Sequence, residues 1–426
     1  MIEPREFSLY RAGELMRRGR LSAEALVLSC LEKIEARQAD VRAWVEVYPG
    51  QALEEARRLD GDAARSRWHG PLHGIPLGIK DIIDVEGMAT RGGTEVYEGG
   101  VAGRDAACVA RLRGAGAIFL GKLATTAFAY GDPVPDARNP WNLERTPGGS
   151  SAGSGAAVAD RMCLGALGTQ TGGSVLRPAA FTGVVGFKPS FGAISLEGVI
   201  PLSWSMDHLG AFARRVEDAN LLWHVMRDQR TLDWQTTRQK MAPPLVPRAP
   251  LRVWRVRDFF ESEADPEIVE NLERACVRLA GHGVQIVEKP LPPSSAGVKE
   301  AHQCILEGDA AAYHRERFEE KKLRYPPRVG RLVEQGLQVR AADYVAAQRL
   351  RLRWQTEMAA ALAEVDLAIM PTSLTPPPDP STTGDPAFNS PWSMCGIPTL
   401  SLPTHVNGDN LPLAVQLVAG RGEEER

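Results

Sequence analysis

Apolar residues recur along this chain in two alternating rhythms. Near the start, Val27, Leu31 and Ile34 fall on one face at helical spacing, with Ser22 placed to cap the helix and Glu24 in its first turn. GIPLGIKDII, at 74–83, is instead a short and nearly continuous apolar run of strand type. A polar loop follows, then DAACVARLRGAG (105–116), a helix closed by glycine. AIFLGKLATTAFA (117–129) reads as a buried strand running into a second helix. The alternation continues through MCLGALGT (162–169) and ends in LAVQLVAG (413–420). Strand–helix alternation of this kind predicts an α/β fold: one large, mixed, twisted β-sheet with helices on both faces.

The rhythm weakens between Trp223 and Pro250, where a proline-rich APPLVPRAP reads as a linker. Beyond it, Leu251–Val256 is strand-like, Pro266–Ala280 is an amphipathic helix, Gly283–Val287 is another strand, and helical segments fill 296–363. VDLAIMPT (365–372) returns to the main sheet. PTSLTPPPDPSTTGDP (371–386) is a long loop of the kind that lies over a site. The expected organisation is a single domain over 1–426. Within it lie a catalytic core at 70–220, a small peripheral helical lobe at 225–363 that walls a substrate pocket, and a return to the main sheet at 364–426.

Composition narrows the partners. A net charge of −3 and a pI near 6.3 argue against nucleic acid or an anionic membrane. The Lys/Arg-rich stretch Arg315–Arg331 alternates with Glu and Tyr and reads as a solvated helical face. Six cysteines, with no C-x-x-C pair, suit reduced core thiols. The N-terminus is polar and acidic rather than a secretory signal, and no apolar run reaches the roughly 18 residues needed to span a bilayer. A cytoplasmic protein is expected. The histidines show no ligand spacing, so neither metal nor other cofactor is expected. Gly116–Lys122 begins like a phosphate loop, but Leu123 stands where Ser or Thr is required.

The chemistry concentrates in TPGGSSAGSGAAVADRMCLGALGTQTGGSVLRPAAFTGVVGFKPS (146–190). Ser150 and Ser174 each follow a Gly-Gly pair, and Lys80 lies upstream among isoleucines. These are a nucleophile, a relay hydroxyl and a base, as acyl transfer requires. Small residues before Ser174 let the backbone turn tightly and aim successive N–H groups at one point. A helix beginning near Pro178 would add its positive end. The base is the demanding part. An ordinary lysine is neutral in only about one molecule in 2,500 at pH 7, a penalty of roughly 4.6 kcal/mol, so Lys80 must be buried to serve. Asp81 would point the other way on a strand.

This pattern resembles the amidase signature family of serine hydrolases over nearly the whole chain. GIPLGIKD, GGSS, GALGTQTGGS, GVVGFKPS, GIPTLSLP and LPLAVQLV carry the resemblance. It implies Lys80 as base, Ser150 as relay and Ser174 as nucleophile, the two serines at the family's usual spacing of 24 positions. It also implies a cis peptide at Gly149–Ser150 and an oxyanion hole from the N–H groups of Thr171, Gly172, Gly173 and Ser174. Gly149 and Ser151 would support the substrate site, Ser151 by hydrogen bonding or, with Ser154, as a capping or turn residue.

Two departures matter. Most members carry aspartate where Gln170 stands and arginine where Leu176 stands; here both are neutral, so no buried half-pair remains. Arg177, three residues after Ser174, makes the motif most similar to the malonamidase branch, where that arginine suits a substrate carboxylate. The reaction implied is metal-independent cleavage of C–N bonds beside a carbonyl, in a small-molecule amide or carbamate, with a homodimer as the candidate assembly. The pocket walls should come from Tyr130–Trp141, the peripheral lobe and Pro371–Trp392. Phe388, Trp392 and Met394 are candidate apolar contacts there, although core packing explains them equally well. The alternative within the family is the A-type component of a glutamyl-tRNA amidotransferase, which works with a partner. Ala124 and Ala127, in place of that group's asparagine and glutamate, weigh against it. A non-catalytic binding protein on the same fold is the alternative of another class. The chain stops at GRGEEER, short of the closing helix most members have, so that helix is lost or the sequence is shortened.

Overall fold

A computed structural model of the chain describes residues 2–131, 136–227 and 250–425. The expected α/β architecture is present: among the described residues, eleven strands form one mixed sheet with helices packed against it. The strands are β1 (Trp44–Val47), β2 (Pro76–Lys80), β3 (Ile118–Leu123), β4 (Gly165–Gln170), β5 (Val185–Lys188) and β6 (His208–Ala213). They continue with β7 (Arg252–Arg255), β8 (Gln285–Glu288), β9 (Leu367–Pro371), β10 (Thr399–Val406) and β11 (Pro412–Val418). Their order across the sheet is β1-β3-β2-β4-β6-β5-β10-β11-β9-β7-β8. β2 lies parallel to both β3 and β4, and every residue of these three strands is buried. Strands covered on both faces read as continuous apolar runs rather than as alternation, which is why GIPLGIK lacks a polar side.

The helix Ala152–Ala159 explains the glycines at the centre. Its sequence, AGSGAAVA, is almost all small residues, and it is buried from Ala152 to Val158. A Cβ on Gly153 would stand 2.2 Å from the Ala43 carbonyl oxygen, and one on Gly168 of β4 would stand 2.7 Å from Ser151 Oγ. Helix and sheet therefore touch backbone to backbone, and the serines at the helix start are held close to β2 and β4.

Local signals were followed in most places. Ser22 caps the helix Ala23–Val41 by accepting from the Ala25 N–H. Three expectations need correction. The helix after Ser174 runs Leu176–Thr182, so Pro178 is its third residue. It is accommodated there because the first turn's N–H groups have no intrahelical acceptor. The helix expected after β3 is a single 3-10 turn, Ala127–Ala129, with Phe128 and Ala129 in the left-handed region at φ 49° and 60°. The Phe128 N–H donates to the Gly92 carbonyl, which holds the chain out of a helical path. Finally, the segment expected as a helical lobe at 225–363 contributes β7 and β8 to the edge of the main sheet. Its helical part, Val298–Lys321, Pro327–Gly336 and Ala341–Leu362, packs around a second apolar core with Trp254, Trp354, Phe388 and Trp392. Most of the expected linker, 228–249, lies outside the described residues, as do 132–135 of the expected pocket wall.

No helix among the described residues is long and apolar enough to cross a membrane. All six cysteines are free thiols, five of them buried and Cys304 half-buried.

Candidate active site

β2 delivers Lys80 to the centre of the molecule. Its side chain is fully buried, and Nζ lies 2.7 Å from Ser150 Oγ and 2.9 Å from the Thr169 hydroxyl of β4. Next in sequence, Asp81 turns to the other side, where its carboxylate lies 3.3 Å from the equally buried Lys122 ammonium. Two lysines of similar burial thus have different partners: Lys122 has a counter-ion at contact, and Lys80 has only hydroxyls. Burial pushes the Lys80 ammonium down to about 7, opposed by the more distant charge of Asp207. Near neutral pH an amine in this setting can accept a hydroxyl proton. Burial likewise pushes the Asp207 carboxyl up to about 6, against the Thr171 hydroxyl and the Leu202 and Ser203 N–H groups that donate to it.

Ser150 follows a cis Gly149–Ser150 peptide bond, at the position the resemblance implies. Ser150, Thr171, Gly172, Gly173, Ser174 and Arg177 all line one cavity of about 780 Å³. Lys80 stands behind Ser150, outside the cavity wall.

The turn from Thr171 to Ser174 is held through its carbonyls. His208 Nδ1 donates to the Gln170 carbonyl at 3.3 Å, His302 Nε2 to the Thr171 carbonyl at 3.2 Å, and Ser393 Oγ to the Gly172 carbonyl at 2.8 Å. The Arg177 N–H donates to the Gly173 carbonyl at 3.0 Å. In a planar trans peptide the N–H points opposite to the C=O, so holding four carbonyls sets the directions of the next four N–H groups. Those are the N–H groups of Thr171, Gly172, Gly173 and Ser174, and none of them donates to another described residue. A row of oriented, unengaged donors in a cavity wall, half of them buried and half partly exposed, can stabilise an oxyanion. Gly173 has no room for a side chain, since a Cβ there would meet Asn389 Oδ1 at 2.5 Å.

Gln170 shows what replaces a charged pair. Its Oε1 accepts from the Val175 and Leu176 N–H groups at 2.9 and 3.0 Å, capping the short helix, while Nε2 donates to Ser393 Oγ at 3.0 Å. One neutral amide satisfies the helix start and orients the hydroxyl that holds Gly172.

Residues 25–426 match the family model described as Amidase. The chain belongs to the amidase signature family. It is 34% identical to an amidase of Pseudomonas putida, over 98% of this chain and 93% of that one. It is also 31% identical to the A-type component of the glutamyl-tRNA(Gln) amidotransferase of Desulforapulum autotrophicum, over 99% and 95% respectively. A crystal structure of an amidase superposes with a TM-score of 0.89 at 32% identity, covering 98% of this chain and 97% of that one. The chain is thus an amidase-family hydrolase in sequence and in fold.

Other expected site residues lie in different surroundings. Arg177 is 5% exposed and lines the cavity; its Nη2 donates to the Gly149 carbonyl at 2.8 Å and to Thr383 Oγ1 at 3.3 Å. Ser151 occupies the capping position of its helix without capping it, and instead exchanges hydrogen bonds with the Thr169 backbone. Phe388 and Trp392 do not reach the cavity. Both are fully buried against Phe260, at ring separations of 5.0 and 5.8 Å, and Met394 is buried in the same core. The cavity face of this segment is made by Thr382 to Ala387 and Ser390. Sequence spacing also left contributors unmarked, among them Asp207, Ser393, His208 and His302. Among the described residues no cluster of His, Cys, Asp and Glu could hold a metal ion.

Proposed function

We propose that this amidase-family hydrolase cleaves carbonyl C–N bonds outside peptides through an acyl-enzyme on Ser174. Neutral Lys80 takes the proton of Ser150, Ser150 takes that of Ser174, and Ser174 Oγ attacks the carbonyl carbon. The N–H groups of Thr171 to Ser174 hold the oxyanion. Collapse of the tetrahedral adduct breaks the C–N bond while the proton passes back through Ser150 to the leaving amine. Water, deprotonated by the same route, then hydrolyses the ester. The observation that carries this reading is the 2.7 Å contact between a fully buried Lys80 and Ser150 with no counter-ion at contact distance. A fluorophosphonate should label Ser174 in the native protein and fail to do so in Lys80→Ala. Undiminished labelling of that variant would remove Lys80 from the base role.

For the substrate we propose a small anionic amide of the malonamate type, with a carbamate as the neighbouring candidate. The support is a buried guanidinium, Arg177, in the wall of the cavity that Ser174 lines. Arg177→Gln should raise KM for anionic amides at least ~10-fold more than for neutral aryl amides or carbamates, consistent with the loss of a charge-assisted hydrogen bond. Equal effects on both classes would assign Arg177 to holding Gly149 alone. Six unpaired thiols support a cytoplasmic setting for this chemistry.

The second reading, an amidotransferase component of the A type, is favoured by relatives of that description matching nearly the full chain. It requires that the purified chain alone release little ammonia and that a partner restore activity. Robust amide hydrolysis by the isolated chain excludes it. Wild-type function in Ser174→Ala would favour a binding protein instead.

A further inference from the structure

His302 lies on the helix Val298–Lys321, 131 positions from Thr171, yet its ring is buried against the turn that precedes Ser174. Nε2 is 3.2 Å from the Thr171 carbonyl oxygen. A carbonyl cannot donate, so Nε2 carries the hydrogen and the tautomer is determined. Burial holds the ring below its ordinary pKa and therefore neutral. The two following peptides are fastened by Ser393 and by the Arg177 N–H. The Thr171–Gly172 peptide is packed more loosely. The nearest atoms a Cβ placed on Gly172 would meet are those of the Pro386 ring, at 3.4 Å, and His302 Cε1, at 3.9 Å, whereas one on Gly173 would meet Asn389 at 2.5 Å. The direction of the Gly172 N–H therefore depends on what holds the carbonyl of the same peptide.

We infer that His302 is a positioning residue for the oxyanion site: its Nε2–H fixes the Thr171–Gly172 peptide and with it the Gly172 donor. This rests on reading Thr171 to Ser174 as the oxyanion-binding segment. His302 also borders the cavity, so the rival role is direct contact with substrate.

Three variants separate the roles. Gln can place an amide N–H where Nε2 stands, Asn is polar but too short, and Phe keeps the ring without the donor. Each is assayed for kcat and KM on malonamate-like, aryl-amide and carbamate substrates, for the rate of fluorophosphonate labelling, and for thermal stability. Removing one oxyanion donor outright costs about 100-fold or more in kcat, so a donor left in place but misdirected should cost about 10-fold or more. The expected result is that His302→Asn and His302→Phe lose at least ~10-fold in kcat and in labelling rate on every substrate, with KM within ~2-fold, while His302→Gln stays within ~3-fold of wild type. If His302→Phe does not fold, the Gln and Asn pair decides, since both are polar and differ in reach. The inference is overturned if KM rises while kcat is kept, if His302→Gln is as impaired as His302→Asn, or if all variants match wild type. A wild-type protein that neither turns over nor labels defeats the acyl-enzyme reading itself, and this inference falls with it. An active wild type indifferent to His302 defeats this inference alone.

Discussion

The pH dependence of catalysis tests the proposed base, Lys80, most directly. An ordinary lysine offers about one neutral amine in 2,500 at pH 7. With its pKa lowered to about 7, Lys80 offers about half. That is a gain of roughly 1,000-fold in available base, or about 4 kcal/mol. The rising limb of kcat/KM should then have its midpoint near pH 7, climb about 10-fold from pH 6 to pH 8, and level off above. Asp207 supplies the perturbation. Its negative charge favours the ammonium form of Lys80, so Asp207→Asn removes that support and should move the limb to lower pH. The Asn carbonyl can still accept from the Thr171 hydroxyl, which keeps that contact while the charge is lost. The assay is kcat/KM from pH 5 to 10, with the fluorophosphonate inactivation rate measured beside it; both should share one midpoint. A rate still climbing 10-fold per pH unit beyond pH 9 would mean that burial has not lowered Lys80. A limb displaced to higher pH in Asp207→Asn would reverse the sign on which the argument depends.

Stability should bear the same signature. The folded pKa of Lys80 lies below the unfolded one, so the unfolded chain holds more protons between about pH 7 and 10.5, and stability contributed by this site rises with pH across that window. Lys80→Met removes a burden of about 4 kcal/mol at pH 7 and leaves two hydroxyls short of a partner at about 1 kcal/mol each. A net gain of about 2 kcal/mol in denaturant titration is expected at pH 7, gone by about pH 10; a variant less stable than wild type at pH 7 refutes it. Gly173→Ala, which would press a methyl group onto Asn389, should slow Ser174 labelling at least ~100-fold, whereas Gly172→Ala should cost under ~10-fold. Equal losses at the two glycines would show that crowding by Asn389 is not what demands glycine at 173. Trp392→Ala should cost roughly 3–5 kcal/mol of stability while the surviving folded protein keeps its substrate preference. A changed preference at unchanged stability would return Trp392 to the pocket wall.

What was legible in the sequence is what adjacent residues decide. Ser22 and its helix, the buried strand that carries Lys80, and the two Gly-Gly-Ser turns are specified within a few positions of chain. So is the sidedness that turns Asp81 away from Lys80, although its meeting with Lys122 is decided by the sheet and not by the neighbouring residues. Where the reading failed, the deciding contact came from elsewhere. The turn at Ala127–Ala129 bends because Gly92 takes the Phe128 N–H, and no propensity of TTAFA predicts that. Phe388 and Trp392 are apolar at positions that suit a pocket lining and a core equally, and only the arrival of Phe260 and Trp354 makes them core.

The proposed oxyanion segment, Thr171 to Ser174, shows the same division. Its small residues were legible because a tight turn leaves a local mark. The groups that fasten its carbonyls leave none, since any donor of the right reach will serve: an imidazole 131 positions away and a hydroxyl 221 away do equivalent work. Gln170 lies between these cases. Its neutrality was visible as the loss of a charged pair, but that explains only what is avoided. In the fold its two ends act together, one accepting from the N–H groups that open the helix bearing Arg177, the other donating to the hydroxyl that holds Gly172. An acid at this position could accept from the helix but, ionised, could not donate to Ser393. The amide therefore matches the hydrogen-bond directions on both sides, independently of any charge it avoids.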